Sequence, residues 1–337
     1  MSLNSMDLSL LDKILIAEPK YRRAQARRAV FHEFISSWEE ATNFSKDWRL
    51  KLAAEFPLEI AAKISATADR HAQKALIKLA DGNKIETVLM SHSDGRRTVC
   101  LSSQVGCPLG CRFCATGSMG FKRNLSYSEI IIQALFWARQ LKTKGEKISN
   151  IVFMGMGEPF LNYDAVMKAV DILNDPDFFN IGARQISIST VGIIPGIKQL
   201  AKEKRQLNLA ISLHAASDHK RSKLIPANEK YPLDQILKAV DDYILKTKRR
   251  VMFEYILMSG VNDGVEDAKA LAQLMQRPLV FVNLIKYNQT GKFRPSSTRQ
   301  MEEFKKILET GGVVVTCRFR LGDRIAAACG QLAGKEA

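Results

Sequence analysis

The stretch "NIVFMGMGEPFLNYDAVMKAVDILNDPDFFNIGARQISIST" (150–190) decides the fold. It opens on a nearly continuous apolar run, "NIVFMGM" (150–156), and closes on a second, "RQISIST" (184–190). Between them, from about Asn162, apolar residues recur at helical spacing. Strands that are apolar on both faces, joined through a helix, belong to a parallel sheet covered by helices. The rhythm continues with "LNLAISL" (207–213), "RVMFEYILM" (250–258), "LVFVNLIKY" (279–287) and "VVVTCRF" (313–319). The intervening helices are expected near Ser126, Pro195, Pro232, Asp263 and Thr298. Ser126 and Glu129 form a capping-box pattern ahead of "IIIQALFWA". About six βα units make either an open doubly wound sheet or a partial barrel, and periodicity does not choose between them. In both, ligands sit at the carboxyl ends of the strands.

Upstream the pattern changes. Residues 1–75 read as helical: "RRAQARRAVFHEFISSWEEA" and "KDWRLKLAAEFPLEIAAKI" show helical spacing without alternation. Lys20, Arg22, Arg23, Arg27 and Arg28 place five cations within nine residues, a solvated face or an RNA contact. Residues 76–99 read as a small β-element, with Asp81-Gly82 as a hairpin turn. Residues 100–290 carry the βα units, and 291–337 form a strand–helix extension.

The 337 residues carry 50 Lys+Arg against 35 Asp+Glu, a net charge of +15 that favours a polyanionic partner, nucleic acid before membrane. No apolar run approaches the ~20 residues that span a bilayer, and the N-terminus does not read as a signal peptide. A cytoplasmic location is expected, which keeps the six cysteines reduced.

Four of those cysteines lie in "CLSSQVGCPLGCRFCATGSMGFKRNL" (100–125), which ends close to Lys122-Arg123, a pair placed near an RNA entrance. Cys107, Cys111 and Cys114 have the spacing C-x3-C-x2-C. Three thiolates leave one position short of a structural zinc site or an all-cysteine cluster. Zinc with a distant fourth ligand, incidental thiols, and an iron–sulfur cluster with one open iron all remain on these grounds. The spacing resembles the radical S-adenosylmethionine (SAM) superfamily, which implies that Cys107, Cys111 and Cys114 hold a 4Fe–4S cluster whose fourth iron binds SAM. On the same resemblance, Gly157 and Glu158 of "GMGEP" contact the methionyl amine of SAM. Ser189, Ser212, Leu213, His214 and Asn288 match the ribose, adenine and carboxylate contacts.

A closer likeness lies in "VCLSSQVGCPLGCRFCATGSMGFKRNL", "FMGMGEPFLN", "ISISTVGIIPGI", "AISLHA" and "AACGQLAG". In this order they resemble the RlmN/Cfr family of radical SAM RNA methyltransferases, from about Ile85 to Gly334. The resemblance implies an α/β fold, a partial (βα)6 barrel with a β-extension and an N-terminal helical domain. It also implies methylation at carbon 2 of adenine in 23S rRNA and, in some members, tRNA. Two SAM molecules are used per turnover. The first methylates the Cys329 thiolate; the second gives the radical that takes hydrogen from the S-methyl group. The resulting carbon radical adds to the base, forming a protein–RNA thioether. Glu86 accepts the ring proton, and Cys100 resolves the adduct through a transient Cys100–Cys329 disulfide. An external electron donor such as flavodoxin and a monomeric state are further expectations. Rivals are the carbon-8 activity that confers antibiotic resistance, a radical SAM protein with another substrate, and a zinc-stabilised RNA-binding protein. Cys317 reads as a core strand residue.

Overall fold

The computed structural model describes residues 6–68, 71–291, 293–318, 326 and 330–334. Three helices come first: α1 (Leu8–Leu15), α2 (Lys20–Phe31) and α3 (Lys46–Glu55). The helical reading of "KDWRLKLAAEFPLEIAAKI" is corrected in its second half: α3 ends at Glu55, and Ala62–Ala66 is strand β1. Pro57 has no N–H to continue the helical ladder and pushes Phe56 out of helical geometry. Next come β2 (Ala72–Lys78), β3 (Lys84–Ser91) and β4 (Arg97–Cys100), antiparallel in sequence order. The β2–β3 turn holds Gly82 at φ +81°, as the Asp81-Gly82 pair predicts.

After β4 the chain makes a two-stranded ribbon, β5 (Gln104–Gly106) with β6 (Phe121–Asn124), enclosing the short helix α4 (Ala115–Ser118). Helix α5 (Tyr127–Lys142) follows, and its capping box is present: Ser126 Oγ accepts from Glu129 N and Glu129 Oε2 from Ser126 N. The remaining elements alternate: β7 (Asn150–Phe153), α6 (Tyr163–Asn174), β8 (Ile186–Thr190), α7 (Ile194–Leu200), β9 (Asn208–Ser212), α8 (Asp218–Leu224), α9 (Leu233–Thr247), β10 (Val251–Leu257), α10 (Val265–Leu274), β11 (Val280–Lys286), α11 (Thr298–Thr310) and β12 (Val315–Arg318).

All but the ribbon join one ten-stranded sheet in the order β1-β2-β3-β4-β7-β8-β9-β10-β11-β12. From β4 to β12 neighbouring strands are parallel, and each crossover leads to the adjacent strand. This order never reverses, so the fold is a partial barrel with six βα crossovers, not a doubly wound sheet. The β-element is continuous with it, because β4 pairs antiparallel with β3 and parallel with β7.

One apolar core runs through the sheet, its covering helices and the N-terminal helices. Leu8 N–H donates to Ser128 Oγ on α5 (3.1 Å), and Phe31 packs on Phe178 at 5.3 Å between ring centroids. Cys317 on β12 is half-buried opposite Leu284.

Candidate active site

The carboxyl ends of the parallel strands open into one cavity. Cys107, Cys111 and Cys114 line it from the segment between β5 and α4. Opposite stand Gly157 and Glu158 after β7, Ser189 on β8, Ser212 on β9 and His214 just beyond. The cysteine segment turns where glycine is required. Gly106 lies at φ +75°, and a Cβ there would stand 1.9 Å from Gly120 O. Cys107 N–H donates to that same carbonyl (2.9 Å).

Glu158 is 3 % exposed. Its Oε1 accepts from Phe160 N (3.1 Å) and its Oε2 from Val191 N (3.0 Å). Gln104 Oε1 takes the Glu158 N–H at 2.9 Å. Gly157, at φ +98°, lies so close to Gln104 that a Cβ would approach it to 2.5 Å. Burial raises the Glu158 carboxyl to about 7, against the backbone hydrogen bonds that lower it. The unfolded chain therefore loses this proton near 4.5, the folded one near 7, and between them the folded state binds more protons. Stability of the metal-free protein should fall as pH rises from about 4.5 to about 7 and then level, this group contributing about 3 kcal/mol over the range. Urea unfolding of wild type and Glu158→Gln across that range checks it; a wild-type profile parallel to the variant's would refute the assignment.

His214 has φ +57°, an uncommon conformation for a side-chain-bearing residue. It is buried, its Nδ1 accepts from Ile256 N (3.1 Å), and Phe113 packs edge-on at 4.8 Å. Burial drives it down to about 3, so the imidazole is neutral. With Nδ1 accepting, the proton sits on Nε2, which serves as a donor. Ser189 Oγ and Ser212 Oγ lie 3.2 Å apart, joining the ends of β8 and β9.

Leu213 contributes through its backbone: its side chain is in the core, its N–H donates to Glu254 O (3.0 Å) and its carbonyl accepts from Arg221 Nε (3.0 Å). Asn288 is buried two residues past β11 and is not part of the lining. Cys100 is buried at the end of β4, its carbonyl accepting from Thr87 Oγ1 (2.7 Å). Glu86, on β3, is 1 % exposed and paired with Lys74 at 2.9 Å. Its Oε2 accepts from Ala333 N (2.7 Å). Cys329 lies outside the described residues, but its neighbour Gly330 and Leu332 line the cavity. Gly330 O accepts from Ala115 N (2.7 Å), and Leu332 O from Thr116 Oγ1 (2.6 Å). No disulfide occurs among the described residues.

Lys122 and Arg123, expected near an RNA entrance, have structural partners. Arg123 pairs with Glu129 (2.8 Å) and Asp81 (2.7 Å), and Lys122 Nζ reaches Asn83 Oδ1 (2.9 Å). Gln104, Arg221 and Glu254 were not anticipated. Glu254 carried a visible signal, a charge within the apolar run "RVMFEYILM". Gln104 and Arg221 carried none, since each acts on atoms distant in sequence.

The donor set fits a multi-iron centre. Burial, with repulsion from neighbouring thiols, raises Cys107 to about 12 and Cys111 well above its ordinary value. Such thiols ionise only against strong positive charge. Among the described residues no three His, Cys, Asp or Glu converge on a single ion, whereas cysteines holding a 4Fe–4S cluster each bind a different iron. Gly157 and Glu158 face them, where SAM would bind.

The Radical SAM superfamily model matches residues 101–274. A protein of Dictyoglomus turgidum called "probable dual-specificity RNA methyltransferase RlmN" is 46 % identical over 317 residues, covering 94 % of this chain and 91 % of the relative. One of the same description from Moorella thermoacetica is 48 % identical, covering 93 % and 89 %. The crystal structure of a radical SAM methyltransferase from Sphaerobacter thermophilus superposes with a TM-score of 0.93 at 41 % identity, over 99 % of this chain and all of that one. The chain belongs to the RlmN family within the radical SAM superfamily.

Proposed function

We propose that the protein methylates carbon 2 of adenine in 23S rRNA and tRNA, carrying the methyl group on Cys329. One observation carries this reading: residues 330–334, which follow Cys329 and include the cavity-lining Gly330 and Leu332, are bonded to α4 beside the cysteine loop and to Glu86. A carrier that must be charged and discharged in one pocket needs such a placement. Cys107, Cys111 and Cys114 would hold a 4Fe–4S cluster, which supplies an electron for reductive cleavage of SAM. Glu158 would receive the methionyl ammonium and His214 would donate from Nε2. Two SAM molecules would be used per turnover, with a flavodoxin-like donor supplying the electron. Glu86 would accept a proton beside the carrier segment, and Cys100 would release the product by pairing with Cys329.

The RNA grip is assigned to the basic N-terminal helices. Three of the α2 cations are engaged: Arg22 with Glu18 (2.7 Å), Arg27 with Asp12 (2.7 Å) and Arg28 with Glu33 (3.2 Å). Exposed pairs of this kind are worth about 1 kcal/mol or less, so phosphates can displace the carboxylates. Among the described residues no helix is long and apolar enough to cross a membrane.

Cys100→Ala is the direct test. With SAM, reductant and a 23S rRNA fragment, it should accumulate a covalent protein–RNA adduct, seen as a slow band sensitive to both protease and ribonuclease. Wild type should instead release 2-methyladenine. Full turnover by the variant would refute the role of Cys100, and a product methylated at carbon 8 would refute the regiochemistry.

A further inference from the structure

Arg221, on α8, is 0 % exposed. Its guanidinium donates to Leu213 O (3.0 Å), Ser212 O (3.1 Å), Val191 O and Asn228 Oδ1 (2.6 Å). None of these acceptors is a carboxylate. A buried cation satisfied only by neutral dipoles carries an uncompensated desolvation penalty. Asp218, the nearest carboxylate of this network, stands one residue away: Asn228 Nδ2 donates to its Oδ1 at 2.8 Å. Burial lowers Arg221 to about 10, which leaves it protonated at neutral pH.

Its location gives that charge a use. Val191 and Ser212, whose carbonyls it holds, line the cavity. The cysteine loop is tied to the same helix, Arg112 N–H donating to Leu224 O (2.9 Å). The cavity's carboxyls, Glu158 and Glu254, add no positive charge.

We propose that Arg221 is the fixed counter-charge of the centre held by Cys107, Cys111 and Cys114, and that it sets that centre's reduction potential. The proposal rests on the reading that these cysteines hold a 4Fe–4S cluster. Three thiolates make such a centre net negative. Reduction adds one electron from an external low-potential donor and no proton, so the negative charge grows by one. A buried guanidinium bonded to carbonyls of the cavity's lining stabilises the reduced form more than the oxidised form. Because three of its four hydrogen bonds go to backbone carbonyls, the charge stays in place through the cycle. Arg221 is thus a positioning and tuning residue, holding two strand ends while supplying a field.

The test is an EPR-monitored redox titration of the anaerobically reconstituted full chain. Arg221→Met should lower the reduced-to-oxidised ratio at a fixed potential at least tenfold, about 59 mV for one electron. Arg221→Lys keeps the charge and should stay near wild type. The exchange Asp218→Asn/Asn228→Asp keeps the charge count but brings a carboxylate onto the guanidinium. It should shift the midpoint in the same negative direction, and it decides the matter if Arg221→Met does not fold. Equal shifts in the Met and Lys variants, or an unchanged midpoint in the exchange, would overturn the proposal and leave Arg221 a structural clamp. A wild-type chain that takes up no iron would instead overturn the cluster reading, a separate outcome.

Discussion

Cys111→Ala should take the iron of the anaerobically reconstituted protein from about four atoms per chain to nearly none, and the brown absorbance at ~400 nm should go with it. Cys111 is 7 % exposed and lines the cavity between Cys107 and Cys114. With three cysteines and one open iron, the cluster has no protein ligand to spare. Cys107 and Cys114 remain in the variant, both half-buried, and burial holds Cys107 up to about 12. RNA methylation should fall to background. The metal-free fold should change by only about 1 kcal/mol, because a thiol-to-methyl change is small and removes a group that burial already keeps neutral. Iron analysis and the visible spectrum decide. A variant that stays brown with full iron would show that Cys111 is not a ligand. Uptake of one zinc and no iron by wild type would sink the radical reading as a whole.

Lys74→Met should destabilise the protein by about 3–5 kcal/mol, because it leaves the Glu86 carboxylate buried without its cation. Lys74 and Glu86 are diagonal neighbours across β2 and β3, Glu86 standing opposite Leu76. They are 4 % and 1 % exposed and 2.9 Å apart. The same carboxylate accepts Ala333 N–H, so losing the lysine also loosens the segment behind Cys329. Lys74→Met/Glu86→Leu should regain most of the stability, since an apolar pair of similar volume replaces a buried ion pair at little cost. It should not regain RNA methylation, because the Ala333 tether and the carboxylate are gone. Denaturant unfolding and a methyl-transfer assay on both variants separate the two effects. A single variant within about 1 kcal/mol of wild type would mean that water reaches the pair and that the latch is weak.

The candidate site was legible wherever chemistry is local. Cys107, Cys111 and Cys114 sit within eight residues of one another, and "GMGEP" and "AISLHA" end apolar strands, where an α/β fold places its ligands. The ion-pair partners of Arg123, Asp81 and Glu129, were not legible because they come from a hairpin turn and a helix cap that only the fold brings together. The surroundings of Glu86 were hidden for the same reason. Its neighbours in space are Lys74 across the hairpin and Ala333, which is 247 positions away.

The sequence by itself determined the alternation of strands and helices from β7 onward, the capping of α5, the β2–β3 turn and the cysteine constellation. Side-chain periodicity, capping and backbone freedom act over a few residues and leave their mark in order along the chain. Strand order was decided only in the tertiary structure. A doubly wound sheet and a partial barrel use the same apolar strands and amphipathic helices, and differ in which strand each crossover returns to. The choice emerges from packing the helices on the sheet, where β4 meets β7 and each later strand meets its predecessor. The charge partners of Arg221, Arg123 and Glu86 were settled at that same level, since burial removes water as the alternative partner and leaves each group to whatever the fold sets beside it.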